Sequence, residues 1–159
     1  MREPVETYLG LGANLGDAPA TLVWAIQQLR LVPGVQVGIC SSLYRTAPMD
    51  SSGPDYSNAV LQIQTVLTAP ALLQCLHSIE AAAGRERPYR NAPRTLDLDI
   101  LLYGEASMDS AALTIPHPRM QQRAFVLLPL ANIAPARVST TALDQVAHQV
   151  IDRMEWPRD

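Results

Sequence analysis

This sequence predicts an α+β fold, on three observations. Two amphipathic stretches, each opened by a capping residue and a proline, lie between apolar runs short enough to be strands. Between Val5 and Tyr103 the runs follow the order strand, helix, strand, strand, helix, strand. A length of 159 residues with 48% hydrophobic content suits one domain with a real core.

Val5 to Gly12 reads as the first strand. Asp17 then offers an N-cap with Pro19 in the first turn, and Leu22, Ile26, Leu29 and Val32 recur at near-helical spacing until Pro33-Gly34. A second strand is expected from Val35 through Leu43 and Tyr44, a loop over Pro48 to Pro54, and a third strand over Tyr56 to Val66. Thr68 caps the second helix ahead of Pro70. Leu72, Leu73, Leu76, Ile79 and Ala83 form its apolar face and Gly84 stands at its C′ position. An arginine-rich loop, Arg85 to Arg94, leads into a fourth strand over Thr95 to Tyr103.

That order is the split βαβ, ferredoxin-like arrangement, an antiparallel sheet with its helices packed on one face. C-terminal additions follow: proline-rich turns, the apolar stretch FVLLPLANIA and a short helix near Leu143 to Ile151. Period two on the fourth strand puts Leu96, Leu98, Ile100 and Leu102 toward the helices and Thr95, Asp97, Asp99 and Leu101 on the opposite face.

Charge narrows the functions available. The net charge is −3, which disfavours non-specific nucleic-acid binding. Lysine is absent, so phosphate must be held by guanidinium forks or backbone amides, and a Walker-type lysine is excluded. Arg85, Arg87, Arg90 and Arg94 cluster just ahead of the aspartates. The two cysteines, Cys40 and Cys75, form no CxxC, and no stretch approaches the roughly 18 apolar residues of a membrane span. With no signal-peptide pattern at the N-terminus, the expectation is a cytoplasmic protein without nucleic-acid or membrane partners.

Asp97 and Asp99 then call for a reason. Cβ atoms at i and i+2 of a strand lie about 6.5–7 Å apart, so both carboxylates can converge on one cation or on a pair. Two harmless acids on a solvated face would also fit D-x-D alone. The apolar neighbours and the arginines upstream favour the cation. Mg²⁺ takes one or two carboxylates plus waters and substrate phosphates, and arginines supply bidentate phosphate contacts. Together these are the parts of phosphoryl-type transfer.

RTLDLDILLYG at 94–104 resembles the signature of 6-hydroxymethyl-7,8-dihydropterin pyrophosphokinase, and four more segments agree in order and spacing. These are LGLGANLGD at 9–17, SSLYRTAP at 41–48, PDYSNAV at 54–60 and IPHPRMQQRAFVLLPL at 115–130. The resemblance runs from about residue 5 to 135. It implies a single pyrophosphokinase domain over residues 1–159, a monomer, without the further folate-pathway domains fused in some members. It also implies transfer of the β and γ phosphates of ATP to the pterin hydroxymethyl group, with AMP released.

By the same resemblance Asp97 and Asp99 ligate two Mg²⁺ ions. Arg85 and Arg94 join them as catalytic groups. Arg85, Arg87, Arg94, His117 and Arg123 hold ATP phosphates, and Leu73, Ile100, Leu113 and Thr114 lie on the adenosine side. The hydroxymethyldihydropterin stacks between Tyr56 and Phe125. Asn58 bonds its amide edge, and the backbone of Thr46, Ala47 and Pro48 assists. Flat heterocycles need such ring faces, and an asparagine can both donate and accept. Where many members carry a tryptophan, this chain has Asn91, with Tyr89 as the nearby aromatic.

Three rivals remain. A dinucleotide-binding reading of GLGAN lacks a second βαβ unit, and its glycines read better as a turn that keeps the strand end close to its neighbours. An RNA-binding module lacks interleaved aromatics. Finally, residue chemistry alone cannot separate attack on the β phosphorus from a phosphotransferase that releases ADP.

Overall fold

The computed structural model describes residues 2–14, 16–47, 55–84 and 96–157. Its main sheet joins β1 (Val5–Ala13), β2 (Val35–Cys40), β3 (Leu43–Thr46), β4 (Tyr56–Thr65), β5 (Asp97–Tyr103) and a late strand, Ile151–Met154. The strand order is β5-β1-β4-β3 and then the late strand, with β2 also on β4, and every pairing is antiparallel. A two-stranded ribbon of β6 (Met108–Asp109) and β7 (Thr114–Ile115) stands beside β5, and the late strand is accordingly β8.

Two helices fill one face of the sheet. In α1 (Ala18–Arg30) Asp17 accepts the Ala20 N–H as N-cap, and in α2 (Ala69–Ala83) Thr68 does the same for Ala71. Leu22, Ala25 and Leu29 of α1 and Leu72, Leu76 and Ile79 of α2 pack on Leu9, Leu11, Leu61, Ile63, Leu98 and Ile100 of the strands. The ferredoxin-like core therefore has its two helices on one face, as the element order predicts.

The C-terminal additions cover part of the other face. FVLLPLANIA forms α3 (Ala124–Ile133), whose Val126 and Leu130 pack with Tyr8, Val60, Leu101 and Leu102. Pro129 lies inside this helix.

Four local expectations change. The expected second strand is divided: Ser41 accepts the Val60 N–H on its hydroxyl and donates to Ser42 O, so a side chain interrupts the ladder between β2 and β3. A bulge opposite Tyr8–Leu9 inserts Leu101, so Leu101 and Leu102 both face α3 and Tyr103 turns to the helix side. Leu102 thus departs from the face period two gives it. The late helix is α4 (Thr140–Gln145), capped by Ser139, and Ile151 opens a strand instead. Gly84 ends α2 with φ −97°, outside the left-handed conformation that glycine favours.

Candidate active site

The face opposite α1 and α2 carries the site because the residues there follow the strand period. β1 presents Tyr8, Gly10 and Gly12, and β5 sets Asp99 opposite Gly10 and Asp97 opposite Gly12. On the other side β4 sets Val60 opposite Gly10 and Asn58 opposite Gly12. Gly10 and Gly12 therefore sit within the strand expected over Val5 to Gly12 and leave a floor without side chains between the aspartates and Asn58. A Cβ on Gly12 would stand 3.1 Å from Asn58 Oδ1, and one on Gly10 would stand 3.3 Å from Leu101 Cδ2.

Above that floor lies a cavity of about 300 Å³. Thr46, Ala47, Tyr56, Asn58 and Phe125, all assigned to the pterin from the sequence, line it together with Asp97, Asp99 and Arg123. Asn58 is only 4% exposed and donates from Nδ2 to Thr46 Oγ1 at 3.0 Å, which fixes the direction of its amide. The Arg123 guanidinium lies over the Phe125 ring, 5.3 Å from its centroid. Arg123 was expected among the ATP phosphates, and the structure puts it on the wall of this cavity.

A second cavity of about 280 Å³ opens on the other side of the pair. Leu73, Ile100, Leu113, Thr114 and His117 all line it, and they are the described members of the expected ATP set apart from Arg123. Among the described residues the two cavities share two lining residues, Asp97 and Asp99. Arg85, Arg87, Arg90, Arg94, Tyr89, Asn91, Thr95 and Pro48 lie outside the described residues.

Charge at the junction is governed by β5 and the His117 turn. The Leu98 N–H, between the two aspartates, donates to Glu80 Oε2 of α2 at 2.8 Å and ties this edge strand to the helix. Sequence reasoning missed Glu80, although it lies about two turns along the helix from Leu73, on the same face. His117 Nδ1 accepts the Arg119 N–H at 3.2 Å, which leaves the neutral ring's proton on Nε2. Burial pulls the His117 pKa below its ordinary value. The Asp99 charge pulls the other way, and Arg123 and Arg119 add to the lowering. Its Nε2 is 3.9 Å from Asp99 Oδ1, beyond hydrogen-bond length.

The donor set suits a hard cation. Two carboxylates lie on one strand face, and the Asp99 side chain is 48% exposed. Among the described residues no group of three or more His, Cys, Asp or Glu is placed to hold a metal by itself. Mg²⁺ accepts one or two protein carboxylates, with waters and substrate oxygens completing its shell.

A family model described as 7,8-dihydro-6-hydroxymethylpterin-pyrophosphokinase (HPPK) matches residues 8–135. The chain belongs to this family. It is 45% identical over 152 residues to a 2-amino-4-hydroxy-6-hydroxymethyldihydropteridine pyrophosphokinase of Synechocystis, covering 94% of this chain and 78% of that one. The enzyme of the same name from Bacillus subtilis is 40% identical over 127 residues, 79% of this chain and 76% of that one. Among solved structures, wild-type Plasmodium falciparum HPPK-DHPS with pterin and p-hydroxybenzoate superposes with a TM-score of 0.66. That match has 13% identity and covers 85% of this chain and 40% of the other, and it speaks for the HPPK fold alone.

Proposed function

We propose that this chain transfers the pyrophosphoryl group of ATP to the hydroxymethyl group of 6-hydroxymethyl-7,8-dihydropterin, in folate biosynthesis, at the Asp97–Asp99 junction. One observation carries the placement: two cavities, one lined by the described pterin residues with Arg123 and the other by the remaining described ATP residues, have Asp97 and Asp99 in common among their described lining residues. A reaction that joins two substrates needs them to meet, and the aspartates mark where.

Pterin binding falls to Tyr56 and Phe125, which offer ring faces, and to Asn58, whose oriented amide reads the polar edge. Nucleotide binding falls to the second cavity. There Leu73, Ile100 and Leu113 accept the adenosine, and the Nε2–H of His117 donates toward phosphate oxygen. Arg85, Arg87 and Arg94 supply further phosphate donors and Arg123 approaches the transferred group from the pterin side. The hydroxymethyl oxygen bonds to the β phosphorus, the bond from that phosphorus to the oxygen of the α phosphate breaks, AMP departs, and the alcohol proton passes to solvent. Asp97 and Asp99 would hold Mg²⁺, two ions by the family pattern, which neutralise phosphate charge when bound.

The test is a separation of nucleotides after incubation with Mg·ATP and the pterin. AMP in equal amount to pterin diphosphate supports the reading. ADP as the nucleotide product would replace it with an ordinary phosphotransferase.

A further inference from the structure

The family match ends at residue 135, yet the chain that follows returns to the first cavity from both sides. β8 pairs with β3 so that Ile151 lies opposite Thr46, which lines the cavity and holds Asn58. Two residues earlier, Gln149 reaches the opposite wall. Its Oε1 accepts the Ala124 N–H at 2.9 Å and its Nε2 donates to Gln122 O at 2.8 Å.

Those two bonds bracket Arg123, which stacks over Phe125. Arg123 is also the N-cap residue of α3, and its own side chain makes no capping hydrogen bond. The first turn of that helix therefore takes its side-chain partner from 25 residues away along the chain. Ala142 and Val146 pack on Ala124 and Leu127 and seat the segment against the back of α3.

We infer that residues 139–154 form a brace that fixes the separation of the cavity's two walls, with Gln149 as the positioning residue for Arg123 and Phe125. This rests on the pterin reading of the cavity. A flat ring is gripped only when both walls stand at its thickness. A clamp on the Phe125 wall, two residues from the strand that pairs with the Thr46 wall, couples the two.

The experiment is steady-state kinetics of the full chain and of Gln149→Ala and Gln149→Glu, with pterin and ATP varied separately and thermal melts alongside. Gln149→Ala, which loses both hydrogen bonds, is expected to raise the pterin KM about tenfold and to leave the ATP KM within about twofold. Gln149→Glu keeps the acceptor and loses the donor, and is expected to shift the pterin KM in the same direction by less. A fall in kcat with both KM values unchanged would assign Gln149 a merely structural role and overturn the inference. No change in any parameter, or loss of folding in both variants, overturns it too. Should the unsubstituted chain form no AMP, the functional reading fails first. Amide hydrogen exchange then judges the clamp: faster exchange at residues 122–126 in Gln149→Ala upholds it, and unchanged exchange rejects it.

Discussion

Gly12 and Asn58 face each other across β1 and β4, so close that a Cβ on Gly12 would lie 3.1 Å from Asn58 Oδ1. Asn58 is buried and already bonded to Thr46, so it has little room to yield. Gly12→Ala is therefore expected to weaken pterin binding about tenfold or more by displacing the amide, with nucleotide binding unchanged. Titration of pterin fluorescence against the purified variant checks this. Unaltered pterin affinity would remove the glycine floor from the account.

The aspartates should separate catalysis from stability. Asp97→Asn and Asp99→Asn keep shape and lose charge, and each is expected to lower kcat by about two to four orders of magnitude. Because the Asp99 side chain is half-exposed, Asp99→Asn should leave the melting temperature within about 3 °C. Turnover and melting curves on the same preparation read both quantities. Near-normal turnover in either variant would remove that residue from the metal set.

Cys40 gives a prediction about pH. Burial pushes its thiol up to about 11 from an ordinary 9.0. A raised folded-state value means the thiol's contribution to stability is complete below its unfolded value and is lost as pH rises through about 11. Cys40→Ala should therefore flatten the fall in melting temperature between pH 9 and 11. In the native chain, iodoacetamide at pH 8 should leave Cys40 unmodified, as peptide mass spectrometry would show. Rapid alkylation of Cys40 at pH 8 would contradict the burial argument.

Most of the architecture could be read from residues that act locally. Asp17 and Thr68 cap their helices where the sequence places them, and period two correctly turns Asp97 and Asp99 away from α1 and α2. What failed depended on partners far along the chain. The bulge at Leu101 appears only when β5 is laid against β1, and the break at Ser41 needs the Val60 amide across the sheet. The role of Gly10 and Gly12 was within reach. The expected Val5–Gly12 strand holds both, and the same period two that places the aspartates puts them on one face with Tyr8; that Asn58 and the aspartates flank them needs the pairing of β1 with β4 and β5. Gln149 was not legible, because nothing in a polar residue near the C-terminus announces a bond to residues 122 and 124.

The central claim is that Asp97 and Asp99 hold metal where the two substrates meet, and metal titration tests it most directly. Mn²⁺ can be followed by electron paramagnetic resonance in the presence of α,β-methylene ATP, with the full chain beside its Asp97→Asn/Asp99→Asn form. The account predicts two tightly held ions per unsubstituted chain and the loss of tight binding in the double variant. Two tightly held ions in the double variant would contradict it.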